Sequence, residues 1–210
     1  MDACNQMSDL AQQSTRSILP VQQGEAASGL AKLQRAIGKA QVGFRRRGAE
    51  TVLDHLYQSG CCKVRFPRLE PGRDTEAILI NTTGGLTDGD VIETQIRWGA
   101  GTRASVASQA AERIYRSRHD PARITTNLTV AENATACWLP QETILFDQGQ
   151  FERHTTITLA ASARLLAVES IVFGRAAMGE AVASGRILDR WRLRVAGKLV
   201  FPINCVSMGR

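Results

Sequence analysis

Apolar and polar positions alternate along several stretches of the chain. Ala40, Val42 and Phe44 alternate with Gln41, Gly43 and Arg45. Ile92, Thr94, Ile96 and Trp98 alternate with Glu93, Gln95 and Arg97. The same period of two returns at Ile124–Val130, at Thr155–Leu159 and at Trp191–Val195, where Arg190, Arg192 and Arg194 take the polar positions. Period two puts one residue set on each face of a strand, so these are strands with one buried face. The pattern predicts strands near 91–98, 103–109, 123–131, 154–160 and 190–195, with a turn at Gly197-Lys198 into Leu199-Val200-Phe201. Gly, Asn and Asp clusters punctuate them, with little helix between. An alternating α/β fold is thereby excluded. The expected fold is mainly β and helix-poor: a wound, β-helix-like sheet or a sandwich-like domain with one or two short helices. Gln109–Arg118 is the best helix candidate. No internal repeat with matching residues is visible, so sequence alone does not specify a regular solenoid.

Composition narrows the class. The chain has 210 residues, 43% hydrophobic and 22% charged, which suits a folded globular domain. Aromatics are only 5%, so the core must be built from Val, Leu, Ile and Ala. No apolar run approaches the roughly 18 residues of a membrane helix. Residues 1–28 are rich in Gln, Ser and Ala and read as a mobile leader, with one β domain over 29–210. The net charge of +6 permits an acidic partner without requiring one. Nucleic acid is disfavoured, because few aromatics interleave with the bases. The five cysteines include the adjacent Cys61-Cys62 and no C-x-x-C spacing, which argues against a disulfide framework or a zinc site and suits a reducing compartment.

Three segments carry candidate chemistry. In Asn81–Asp90, Gly84, Gly85 and Gly89 imply positive φ or close chain approach, around an Asp90 that a tight turn could hold in a cleft. The segment is neither a P-loop nor a dinucleotide fingerprint. Glu142 lies within apolar Leu139–Phe146, and Glu169 within Leu165–Phe173. A carboxylate in an apolar strand pairs with a base, bonds to backbone, or does chemistry. Two of them admit a small-molecule hydrolase with paired buried carboxylates. The three histidines, His55, His119 and His154, form no ligand pair.

Six blocks in order carry a resemblance. Leu56–Cys61 followed by Lys63–Arg68 is the first. Asn81–Asp90 reads N-T-T-G-G-L-T-D-G-D, and Gln109–Arg116 reads Q-A-A-E-R-I-Y-R. Leu139–Asp147 reads L-P-Q-E-T-I-L-F-D, and Gly174–Glu180 reads G-R-A-A-M-G-E. Asp189-Arg190-Trp191 with Gly197–Phe201 closes the series. Together they resemble the urease accessory protein UreD family, also called UreH. Thr83 and Asp88 stand where that family usually has Ala and Gly, and Arg113 where it has Lys. Ile203–Arg210 do not look like the family's continuation, so the resemblance implies a C-terminally shortened member.

The resemblance implies a β-rich wound fold and a non-enzymatic role in the cytoplasm. Such a protein binds apo-urease and two further accessory proteins, one a GTPase, and the assembly delivers nickel. It implies no tightly bound cofactor, only nickel in transit, and neither a membrane nor a nucleic-acid partner. An ion in passage is best held weakly, by carboxylates and backbone oxygens. Residue type and motif position single out Asp90, Glu142, Glu169 and Glu180 for that path. The motif and interface candidates are Gly84, Gly85, Gly89, Gln109, Tyr115, Arg116, Gly174, Arg175 and Gly179.

Overall fold

The computed structural model describes residues 34–208 apart from 69 and 71; the leader expected at 1–28 lies outside them. In chain order the strands are β1 (Ile37–Arg47), β2 (Glu50–Gly60), β3 (Cys62–Arg65), β4 (Thr75–Asn81) and β5 (Val91–Trp98). Then come β6 (Arg103–Ser108), β7 (Glu112–Ile114), β8 (Ala122–Val130), β9 (Thr135–Leu139) and β10 (Thr143–Leu145). The last are β11 (Gln150–Leu159), β12 (Arg164–Ala167), β13 (Ile171–Phe173), β14 (Arg186–Val195) and β15 (Lys198–Met208). Each of the five expected strands is present, four of them predicted by alternation, shifted by a few residues at most.

These strands wind as a parallel solenoid with three sheets. The seven-stranded sheet has the order β15-β14-β11-β8-β5-β1-β2, the five-stranded sheet β12-β9-β6-β4-β3, and the three-stranded sheet β13-β10-β7. Successive coils β5-β6-β7, β8-β9-β10 and β11-β12-β13 each supply one strand to each sheet, paired in parallel with the coil before. Antiparallel β2 and β15 close the two edges of the largest sheet. The β-helix-like form of the expected fold is therefore the one realised.

Parallel pairing in register stacks like on like. Val42, Ile96, Leu128, Ile157 and Leu193 are direct neighbours across five strands, and all face inward. Phe44 and Trp98 stack beside them with ring centroids 6.2 Å apart, and the Trp98 indole N–H donates to the Ala104 carbonyl at 3.0 Å. Each coil covers the inner row of its neighbour, as stacked repeats must, since one coil alone cannot bury its apolar face.

The helix expected at Gln109–Arg118 does not form; the segment carries β7 instead. The Leu86 amide donates to the Arg113 carbonyl at 2.7 Å, the Tyr115 amide to Leu86 at 2.8 Å, and the Phe146 amide to Ile114 at 3.0 Å. Backbone partners on both flanks outweigh the local preference of Ala110, Ala111 and Glu112 for helix. Among the described residues the only helical element is one 3-10 turn, Ala176–Met178.

Truncation of the stacked row should be costly and truncation of the outer face should not. Leu128→Ala is expected to lower unfolding free energy by about 2–5 kcal/mol, while Thr129→Ala, exposed on the same strand, stays within about 0.5 kcal/mol. Denaturant titration of both variants checks the difference.

Candidate functional site

Inward residues differ in size from row to row, and that leaves a cavity. The row beside Val42–Ile96–Leu128–Ile157 is Ala40, Thr94, Thr126 and Thr155. These small side chains cannot fill the space that Ile and Leu fill one position along. A cavity of about 280 Å³ remains between the three sheets. It runs from Ala40 and Cys62, past Asn81, Glu112 and Thr143, to Arg153 and Glu169. Gln109 and Gln141 line it and are exposed, so it opens at the turns from the five-stranded to the three-stranded sheet.

An ionic cluster closes the far end. In the next inward row Ile92 and Ile124 are followed by Arg153 and Asp189, so an apolar row turns charged. Arg153 Nε donates to Asp189 Oδ1 at 3.1 Å and Nη2 to Asp189 Oδ2, while Nη1 reaches Thr143 Oγ1 at 3.4 Å. Glu169 Oε2 lies 3.0 Å from Arg153 Nε without a hydrogen bond, because that N–H points at Asp189. Its other oxygen accepts from the Trp138 indole at 2.7 Å. Burial works against the guanidinium charge, yet the bonds to Asp189 and the charges of Glu169 and Asp189 hold Arg153 above its ordinary value. For Glu169 burial prevails over Arg153 and Trp138, and its carboxyl is pushed up. One cation thus faces two carboxylates, and Glu169 is the less well satisfied.

Toward the other end stands Glu112. Asn81 Nδ2 donates to its two carboxylate oxygens at 3.2 and 3.0 Å, and Asn81 Oδ1 accepts from the Thr83 amide and hydroxyl. Burial pushes the Glu112 carboxyl up, against the pull of Asn81. Gly85 has φ 149°, and a Cβ there would lie 2.4 Å from the Tyr115 ring, so only glycine lets the loop pass under that tyrosine. On the outer face Tyr115 packs on Phe146 at 4.8 Å between centroids, and the Arg175 guanidinium lies over Phe146 at 4.6 Å.

Four of the six sequence blocks therefore meet at the three-stranded sheet and the loop beside it. Gly84, Gly85 and Gln109 line the cavity. Tyr115, Arg116 and Arg175 are exposed beyond its wall. Gly89, Gly174 and Gly179 take positive φ in the flanking loops. Of the four carboxylates expected on an ion path, the structure puts only Glu169 on the cavity. Asp90 is buried in its own loop, accepting from the Ala36 amide at 2.7 Å and the Thr87 amide at 2.8 Å. Glu180 pairs with Arg175 at 2.7 Å and closes a surface loop. Glu142 is half-buried and does not line the cavity, so it cannot form a catalytic pair there with Glu169. Asp88 is not at positive φ; its carboxylate holds the Arg118 and His119 amides. Glu112 and Arg153 were not singled out from sequence. The first lies in the segment expected to be helical, and the second lies one inward position before the Thr155–Leu159 alternation.

Among the described residues no group of three or more His, Cys, Asp and Glu side chains is placed to hold a metal ion. Nor is any helix among them long and apolar enough to cross a membrane. Residues 36–202 match the family described as UreD urease accessory protein. The chain belongs to the UreD family. It is 46% identical over 170 residues to the urease accessory protein UreD of Chelativorans sp. (strain BNC1), covering 81% of this chain and 61% of that relative. It is 47% identical over 167 residues to that of Rhodopseudomonas palustris (strain HaA2), with 80% and 60% covered. For Sinorhizobium medicae (strain WSM419) the figures are 42% over 185 residues, with 88% and 66% covered. The chain spans about three-fifths of the length of the first two of these relatives. The UreD match runs from the residue before β1 to Pro202 in β15, and so takes in the cavity, the ionic cluster and the three-stranded sheet.

The raised carboxyls link stability to pH. Folded Glu112 and Glu169 keep their protons above the ordinary Glu value of 4.5. Between that value and the raised ones the folded state binds more protons than the unfolded chain, so stability falls as pH rises through the window. Glu169→Gln should flatten that fall, read by denaturant titration from about pH 5 to pH 8. Arg153→Met strands two buried carboxylates and is expected to cost about 3–5 kcal/mol at neutral pH.

Proposed function

We propose that the chain is a non-enzymatic scaffold of urease maturation that passes nickel through its interior cavity. In this reading it works in the cytoplasm, binds apo-urease, and assembles with two other accessory proteins, one a GTPase. The observation that carries the reading is the convergence of the family's sequence blocks on one cavity and its outer wall. Glu112 and Glu169 stand on that cavity at the levels of different coils, with Thr143 between them. Spaced oxygen donors with no converged cage suit an ion that must leave again. Asp90 and Glu180 serve loop closure in this reading, and Glu142 lies off the path.

The exposed Tyr115, Arg116 and Arg175 offer an aromatic and basic face for a partner. A second surface supports the scaffold role: β15, at the edge of the largest sheet, exposes Leu199, Val200, Phe201, Ile203 and Val206. Apolar edge strands invite pairing with another chain, so the isolated protein is expected to associate or dissolve poorly.

Co-expression with apo-urease and the accessory proteins tests the reading. Glu112→Gln and Glu169→Gln should leave the complex intact but lower urease activation per complex several-fold. Tyr115→Ala should weaken assembly by about tenfold or more. If all three variants lose activation only in proportion to lost assembly, the cavity is not a path and these residues are structural.

A further inference from the structure

The outer face of the seven-stranded sheet carries charge that the chain itself does not balance. The acids at outward positions of β5, β8, β11 and β14 are Glu93 and Glu152. Each already holds a base: Glu93 pairs with Lys39 at 3.1 Å, and Glu152 with Arg186 at 3.3 Å. Arg97, Arg123, Arg190, Arg192 and Arg194 share that face. Among the described residues none of them takes part in an ion pair. Arg190, Arg192 and Arg194 occupy alternate positions of β14, so they step along the strand by about 6.6 Å. Like charges held this close repel, and no acid of the face is free to relieve them. Beside them on β11 and β8 stand the short side chains of Thr156, Thr158, Asn127 and Thr129. Arg97 pairs with Thr129 from β5 and closes the far side. Arginines on two strands about 14 Å apart thus wall a shallow trough floored by Thr and Asn.

We propose that this trough docks an extended, carboxylate-rich segment of a protein partner. An extended chain also advances by about 6.6 Å every second residue, so carboxylates at its alternate positions meet the β14 arginines in step. The guanidinium fork takes a carboxylate through two parallel N–H donors, which a lysine cannot do. Thr and Asn on the floor offer hydrogen bonds to the polar groups of the segment. A nucleic acid is the poorer match, because no Phe, Tyr or Trp stands at an outward position of these four strands to stack a base. The trough lies on the solvent side of the sheet whose inner side faces the cavity, so the inference is independent of the nickel reading.

The test titrates the full chain into a fluorescein-labelled peptide of alternating Glu and Thr and reads anisotropy at low salt. A peptide of the same composition with its Glu residues in one block is the spacing control, and oligo(dT) of equal charge is the nucleic-acid arm. The alternating peptide is expected to bind about fivefold tighter than either. Binding should weaken by about tenfold or more in the triple variant Arg190→Gln, Arg192→Gln, Arg194→Gln, and by about threefold in Arg97→Gln. A second triple variant, Arg47→Gln, Arg73→Gln, Arg164→Gln, removes the same charge from exposed positions elsewhere and should bind as the parent does. Circular dichroism checks that each variant folds; should the first triple fail, Arg192→Glu alone must weaken binding by about fivefold. Equal loss in the two triple variants means general charge attraction and overturns the trough. Equal binding of the block peptide overturns the extended segment, and no binding of either peptide overturns the site. Tighter binding of oligo(dT) through the same arginines makes the partner a nucleic acid and overturns the proposal. Neither nickel nor urease enters this assay, so its failure leaves the scaffold reading standing.

Discussion

In-register parallel stacking governs this molecule. Each inward side chain has the equivalent side chain of the next coil directly above it, so space inside is decided row by row. The row through Ile96, Leu128 and Ile157 is large and branched, and it seals one side of the interior. The row through Ala40, Thr94 and Thr126 is small, and the cavity follows it along the solenoid. A void that crosses coils is thus a consequence of residue size repeated in register, with no insertion needed to create it. Buried Thr155, whose hydroxyl has no hydrogen-bond partner, ends the same row beside the ionic cluster.

Five of the long strands were legible because alternation over several residues can be read in one sequence, whereas β2, eleven residues long and largely exposed, shows none. The short ones were not. β7, β10 and β13 have three residues each, too few to display a period, and they are set by the strands beside them. The winding was hidden for a related reason. Coils begin their largest-sheet strands at Val91, Ala122, Gln150 and Arg186, and these unequal intervals give no fixed repeat to detect.

The site divides along the same line. Glu169 stood out because a carboxylate in an apolar run is conspicuous, and it does line the cavity. Asp90 and Glu180 looked alike by residue type, yet Asp90 ties its loop to the Ala36 amide ahead of β1 and Glu180 pairs with an arginine in its own loop. Arg153 was invisible because a charged residue in a strand reads as outward-facing. Its inward direction follows only from its pairing with Ile124 on one side and Asp189 on the other. Glu112 gained its meaning from Asn81, thirty-one positions earlier, which no local pattern could supply.

The pairing of Arg153 with Asp189 also fixes how the last coil can seat. They are direct neighbours across β11 and β14, both side chains inward. A slide of β14 by two residues would preserve the inward apolar pattern and most backbone bonds. It would also set Arg153 against Ile187 or Trp191 and leave the Asp189 carboxylate buried without its cation. Apolar rows tolerate such a slide, since Ile, Leu and Val are nearly interchangeable neighbours. The ionic cluster does not, and so it acts as a registration pin for a stack whose hydrophobic rows alone are degenerate.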